Sequence, residues 1–398
     1  MSAIKSERLS CVLTLFCASA GAFSVPACAG SESLDSLEQV ELGTAREALE
    51  RHDTGGRDDA RPHRHQRGDH CSDDEDDGVA LTGVNLAGAD FGEGNLPGVY
   101  EQDYIYPSAA DVDLFLERGV NVFRVPFRWE RLQRTLNGDF DTGELARLDG
   151  LVRYITARRA KVVLDPHNYA RYAGQVVGID IPASALADLW ARLATLYGDD
   201  RRVVFGLMNE PNSMPTEVWR DAANAAIAAI RGAGAENLVL VPGNAWTGAW
   251  SWDDSWYGTP NAIAMTQIED PLDNFAFDVH QYLDADGSGT YRTPALPGAA
   301  SPCESTIIGT LRLALFSAWL RATGSRGFLG EFGVPNEPTC LAAMDDMLST
   351  LDASSDVFVG WTYWAAGPWW GDYPLSVQPS EDGSDKPQFS VLARHLHR

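Results

Sequence analysis

The chain has 398 residues and carries 56 acidic against 31 basic side chains, a net charge of −25. That balance repels phosphate backbones and anionic lipid surfaces, which excludes nucleic-acid binding and a polybasic membrane surface. Hydrophobic residues, at 44 %, provide ample core, but no uninterrupted apolar stretch reaches the ~20 residues of a membrane-spanning helix.

In chain order the first feature is an export signal over residues 1–29. Lys5 and Arg8 precede an apolar run from Leu9 to Ala22, and Ala27-Cys28-Ala29 offers the small residues that a signal peptidase accepts. A secreted, extracellular protein is expected. Val25-Pro26-Ala27-Cys28 also loosely resembles a bacterial lipobox, so the alternative is a lipid anchor at the cell surface through Cys28. Residues 30–78 carry 15 acids, 6 bases and no aromatic side chain. Such a segment buries too little apolar area to offset its ordering entropy, and a disordered acidic spacer is expected. Its histidines (His52, His63, His65 and His70), beside Asp73-Asp74-Glu75-Asp76-Asp77, read as part of a solvated spacer rather than a metal site.

Cysteine usage agrees with an oxidising destination. Removal of the leader takes Cys11, Cys17 and Cys28 and leaves Cys71, Cys303 and Cys340. Cys303 and Cys340 both lie in loop-like sequence and can pair, a bridge that stabilises by roughly 3–4 kcal/mol on the chain-entropy model. Cys71 is then left unpaired.

Residues 79–398 read as one domain. Eight β-rich runs occur, at Val79–Leu86, Val120–Phe127, Lys161–His167, Val203–Asn209, Asn237–Pro242, Phe275–Tyr282, Gly327–Phe332 and Phe358–Trp364. Most are nearly continuous apolar stretches, as parallel strands buried on both faces should be. Helical patterns lie between them. In Ser108–Gly119, Val112, Phe115 and Leu116 share a face, Ser108 is placed to cap and Gly119 to terminate. Leu145, Leu148, Leu151, Val152 and Ile155 repeat that periodicity, as do Leu186, Leu189, Trp190, Leu193 and Tyr197. Eight strand–helix units with right-handed crossovers predict an α/β fold, the (β/α)8 TIM barrel. A doubly wound open sheet is the weaker alternative, because no Gly-rich phosphate loop follows the first strand.

In such a barrel the chemistry sits at the C-terminal ends of the strands. Those ends carry Asn85, Arg124, His167-Asn168, Asn209-Glu210, Asn244 with Trp246, His280 with Tyr282, Glu331 and Trp364. One polar residue at a strand end is commonly a satisfied structural group, whereas eight converging on one face define a site. Glu210 and Glu331 end strands four and seven, which face each other across the mouth. Acetal hydrolysis needs such a pair, one carboxyl protonated to assist the leaving oxygen and the other ionised. Arg124 is a permanent cation able to hold one carboxylate ionised, and the Tyr282 hydroxyl can donate to it. No second cation accompanies Glu210, so Glu331 is read as the nucleophile and Glu210 as the acid/base.

Five runs carry a resemblance: Phe123-Arg124-Val125-Pro126, Asp165-Pro166-His167-Asn168-Tyr169, Leu207-Met208-Asn209-Glu210-Pro211, Asp278-Val279-His280-Gln281-Tyr282-Leu283-Asp284 and Gly330-Glu331-Phe332-Gly333. Together they resemble glycoside hydrolase family 5, and in particular its endo-β-1,4-glucanase branch. The resemblance implies a retaining double displacement on cellulose or a soluble β-glucan, with no cofactor and no metal. It implies that Asn209 contacts the 2-hydroxyl of the reacting sugar and that Arg124 and Tyr282 orient the nucleophile. It further implies that His167 and His280 hold the surrounding hydrogen bonds and that Trp364 forms the floor under the sugar.

Tryptophans bear on the substrate, because sugar rings stack their C–H faces on indoles. Trp129 follows strand two; Trp246, Trp250, Trp252 and Trp256 follow strand five; Trp369 and Trp370 follow strand eight. Asn85, Trp129, Asn168, Trp246 and Trp364 are the expected substrate contacts, and some of the other indoles are expected to be core. Trp190, Trp219 and Trp319 sit inside helical patterns and are read as packing. Two other readings are open to the same residues. Another β-glycanase on the same barrel (β-mannanase, xylanase or β-1,3/mixed-linkage glucanase) shares both glutamates. A metal-dependent hydrolase calls for ligand spacings such as His-x-His, which the barrel region lacks. The protein is expected to act as a monomer.

Overall fold

The computed structural model describes residues 78–292 and 301–396. The expected leader, the spacer up to residue 77 and Cys71 lie outside the described residues.

Eight strands, β1 (Leu81–Leu86), β2 (Val122–Phe127), β3 (Lys161–Pro166), β4 (Val203–Gly206), β5 (Val239–Pro242), β6 (Phe275–His280), β7 (Gly327–Glu331) and β8 (Phe358–Ala366), close into one parallel barrel in chain order. Each falls within or overlaps one of the predicted runs. The helices between and after them are α1 (Ala109–Leu116), α2 (Thr142–Ala157), α3 (Ala183–Tyr197), α4 (Thr216–Gly232), α5 (Asn261–Ala264), α6 (Ile308–Thr323), α7 (Pro338–Asp352) and α8 (Pro387–Leu392), with a further short turn of helix at Trp129–Leu132 after β2. Closure through β1–β8 pairing removes the open-sheet alternative: Leu81 lies beside Gly360 and Val84 beside Tyr363. Ser108 caps α1 in a reciprocal capping box with Asp111. The β5–β6 crossover is the irregular one, with only short helical pieces at Ala245–Thr247, Asn261–Ala264 and Met265–Gln267. There the buried Trp252 fills the outer layer, its ring centroid 4.9 Å from Phe316 and 5.3 Å from Trp319.

Two packed regions follow from strand alternation. Outward residues such as Val125, Leu164, Val279 and Leu329 join the helices in the main core, together with Trp190 and Trp219. Inward residues at the N-terminal ends of the strands (Val122, Val163, Val204, Leu240, Ala276 and Phe328) form a separate apolar plug that fills the lower barrel. Two residues further along, on the same inward face, stand Arg124, Asp165 and Asp278, and beyond them His167 and His280. The polar layer is thus positioned by period two on an apolar floor.

Strand β7 breaks that period once. Val279 pairs with Leu329, but His280 pairs with Glu331, so Gly330 is an extra residue in the ladder. The bulge turns Glu331 inward, where strict alternation would have sent it out. A side chain at Gly330 would place its Cβ 2.2 Å from Asp278 Oδ1, which is why glycine stands there. Behind the barrel, Cys303 and Cys340 form a disulfide with Cα atoms 5.4 Å apart, joining the segment before α6 to the first turn of α7.

Candidate active site

Both glutamates reach the mouth. Glu331 arrives from the β7 bulge and is 4 % exposed. Glu210 follows β4 on a residue with φ 41°, a left-handed turn that costs strain in a non-glycine residue. Oxygens of the two carboxyls and Nδ1 of His280 all lie within 4.8 Å of one another.

Their environments differ as the charges around them require. Arg124 Nη1 donates to Glu331 Oε1 at 2.7 Å and the Tyr282 hydroxyl donates to Oε2 at 3.0 Å. Burial alone would lower the Arg124 pKa, but Asp165, Glu331 and Asp278 around it raise it above the ordinary arginine range. Among the described residues no Arg or Lys forms an ion pair with Glu210. Burial pushes its carboxyl up to about 8, against the lowering pull of Arg124 and with a further raise from Asp165. At neutral pH it therefore holds its proton.

The histidines are kept neutral. Burial pushes His280 down to about 4 and His167 down to about 3. His280 Nδ1 stands 2.8 Å from Glu210 Oε1 and 3.5 Å from Glu331 Oε2, between the two carboxyls. His167 Nδ1 is 2.8 Å from Asp165 Oδ2, and its ring stacks on Trp364 with centroids 5.3 Å apart and planes 16° from parallel. Asn209 accepts from Arg124 Nη2 at 2.8 Å, while its own amide nitrogen has no partner among the described residues and is left to donate.

Three expected substrate contacts have other employment. Trp129 is fully buried, edge-on to Tyr172, with Nε1 donating to Gln133 at 2.8 Å, so neither ring face meets solvent. Asn168 accepts from the Trp129 backbone N–H and donates to Glu130, both through buried atoms. Asn85 donates to the Gly330 carbonyl at 2.9 Å and accepts from Arg124 at 2.8 Å. It therefore braces the bulge and does not face the sugar. Of the other candidates, Trp246 is 42 % exposed, its φ of 56° turning the indole outward, and Trp250, Trp256 and Trp369 are also exposed. Trp252 is core.

Asp165 and Asp278 were quoted only as parts of motifs, yet both carboxyls lie buried directly beneath the glutamates. Burial pushes Asp278 up to about 8 and Asp165 up to about 6, each opposed by Arg124. The signal that finds them is the i, i+2 series Val163, Asp165, His167 and Ala276, Asp278, His280 on one strand face. The cluster of Glu210, His280 and Glu331 also offers three atoms of metal-ligating type. Each already has a partner in the hydrogen-bonded set just described, which leaves the residues a poor fit for a resident cation.

A buried polar layer with opposed carboxyls in unlike surroundings, one held by Arg124 and Tyr282 and the other beside a neutral histidine, at the top of a (β/α)8 barrel is the architecture of a glycoside hydrolase. The sequence pattern of the Cellulase family (glycosyl hydrolase family 5) matches residues 73–367, and the chain belongs to that family. It is 36 % identical over 321 residues to endo-β-1,4-glucanase B of Emericella nidulans, covering 80 % of this chain and 92 % of that protein. A triply substituted endo-β-1,4-glucanase from Xanthomonas axonopodis pv. citri has a similar structure, with TM-score 0.76 and 48 % identity over 80 % of this chain and 99 % of that one. The structure of XacCel5A in complex with cellopentaose is also similar, with TM-score 0.76 and 47 % identity over 80 % and 99 % of the two chains.

Proposed function

We propose that this chain is a secreted, monomeric, retaining endo-β-1,4-glucanase that cuts internal bonds of a linear β-glucan. The observation that carries the reading is the pair of carboxyl oxygens within 4.8 Å, one group beside Arg124 and the other held neutral. Retaining glycosidases keep their carboxyl groups about 5–5.5 Å apart, whereas inverting ones leave ~6.5–9.5 Å for a water between them.

The residues divide the work. Glu210 gives its proton to the glycosidic oxygen as the bond to C1 breaks, and Glu331 closes a covalent bond to C1 on the opposite face. Deprotonated Glu210 then takes a proton from water, whose oxygen attacks C1 and returns Glu331 as a carboxylate. Arg124 and Tyr282 hold both oxygens of Glu331 and aim it at C1. Neutral His280 sits between the glutamates, able to follow the shift of charge from one to the other. The Asn209 amide is free for the 2-hydroxyl, and Trp364 provides an apolar floor. The exposed indoles of Trp246, Trp250, Trp256 and Trp369 are platforms for further glucose units, as suits a polymer. The relatives named as endo-β-1,4-glucanases and the neighbour holding cellopentaose support a β-1,4-glucan over mannan or xylan.

A 2-deoxy-2-fluoro cellobioside with a good leaving group tests the mechanism, because the fluorine slows the second displacement and lets the glycosyl-enzyme accumulate. Mass spectrometry should find the label on Glu331. Label on another residue, or an inverted first product by NMR, refutes the assignment. A panel of cellulose, mixed-linkage glucan, mannan and xylan with product-length analysis tests the substrate, and fastest turnover on mannan or xylan would overturn the cellulase reading.

A further inference from the structure

Asp165 holds two parts of the site with one atom. Its Oδ2 is 3.1 Å from Arg124 Nη2 and 2.8 Å from His167 Nδ1, in side chains that are 1 %, 1 % and 5 % exposed. Arg124 has no need of Asp165 for charge balance, because Glu331 already neutralises it at 2.7 Å. A second buried anion beside that pair carries a desolvation penalty, so its presence calls for a role.

We propose that Asp165 is a positioning residue of the hydrolytic reaction, anchoring through one carboxylate oxygen both the counter-ion of the nucleophile and the histidine that backs the sugar floor. A carboxylate only accepts hydrogen bonds, so His167 must present its N–H at Nδ1 and keep a lone pair on Nε2. That tautomer leaves Nε2 able to accept a hydrogen bond from a sugar hydroxyl while the ring lies flat on Trp364. On its other side the same oxygen fixes one guanidinium nitrogen, Nη2, which also donates to Asn209 at 2.8 Å. Nη1 is left for Glu331. The plane of the guanidinium, and with it the orientation of Glu331 and Asn209, is set from below by Asp165.

Among the described residues, the charged and titratable groups that act on Asp165 are Arg124 and Arg128 from β2 and the residue after it, His167 beyond β3, Asp278 and His280 from β6, and Glu210 after β4. Asp165 is one of the groups that raise Glu210. Neutralising it should therefore ease Glu210 ionisation, an effect that a purely packing residue would not have.

The inference rests on the roles proposed for Glu331 and Glu210, and its test separates the two. Asp165→Asn keeps shape and an acceptor oxygen while removing the charge. We expect kcat on cello-oligosaccharides to fall about a hundredfold with KM changed less than about threefold, and the alkaline limb of the pH–rate profile to move to lower pH. A kcat within twofold of the parent with an unmoved limb would overturn the proposal. Were Asp165→Asn not to fold, ¹⁵N-histidine spectra of the unsubstituted enzyme still decide: an Nδ1–H neutral His167 throughout the active pH range is required, and an Nε2–H form or an imidazolium refutes it. Fluoro-sugar labelling of Glu331 beside a fully active Asp165→Asn enzyme would remove this inference alone, whereas labelling elsewhere would remove the reading beneath it.

Discussion

The lower and upper halves of the barrel interior are made by the same strands and obey opposite rules. Below, Val122, Val163, Val204, Leu240, Ala276 and Phe328 pack with nothing polar among them, and their worth is area removed from water. Above, Arg124, Asp165, Asp278, His280 and Glu331 are just as buried, yet what holds them is mutual hydrogen bonding and charge. A fold tolerates so many buried ionisable groups only where they satisfy one another, and here several polar atoms, Asn209 Nδ2, Asp278 Oδ1 and His280 Nε2 among them, have no partner among the described residues. The floor is built for stability. The layer above it gives up stability for chemistry.

Substitutions in the two halves should separate accordingly. The largest effect is expected from Glu331→Gln, which should lower kcat by more than about a thousandfold with no loss of thermal stability; steady-state kinetics and a melting curve check both parts. Next comes Phe328→Ala, immediately below, which should cost about 3–5 kcal/mol in urea unfolding. The folded fraction should still turn over within an order of magnitude of the parent. A Phe328→Ala enzyme that is stable but inactive would erase the distinction between the halves.

Protonation sharpens the contrast further. Burial holds Glu210 and Asp278 at about 8, so between their ordinary range and about 8 the folded state binds more protons than the unfolded one. Stability should therefore decline as pH rises through that window, and kcat/KM should fall as Glu210 loses its proton near pH 8. The drop in melting temperature from pH 5 to pH 9 should shrink in Asp278→Asn, and an unchanged drop would show that Asp278 is not the group responsible. The smallest effect is expected outside the barrel altogether. Trp256→Ala should raise KM for long oligosaccharides only a few-fold, by about 0.5–1.5 kcal/mol of stacking, and leave short aryl glycosides unaffected.

Much of this arrangement was legible before any coordinates. The eight strands were visible because parallel strands buried on both faces read as apolar runs, and the two glutamates because they closed such runs. What escaped the sequence has physical causes. Trp129 and Asn168 follow strand ends just as true site residues do, and only packing shows that one is sealed by Tyr172 and the other caps a short turn. Asn85 stands at the right height in the barrel but spends its amide on the Gly330 carbonyl. Asp165 and Asp278 were hidden in plain view, because a carboxyl one step below His167 or His280 leaves no mark of depth in a linear sequence.

The extra residue in β7 has a consequence for how this enzyme can vary. Glu331 owes its direction to parity: were Gly330 paired as a regular rung of the ladder, the same strand would present its carboxylate to the helices and Phe332 to the barrel mouth. Length changes around Gly330 are thus switched rather than graded: its deletion sets Glu331 directly after Leu329, where plain alternation already points inward, whereas one residue more before Glu331, with the bulge kept, should turn the reactive group to the wrong side of its own wall.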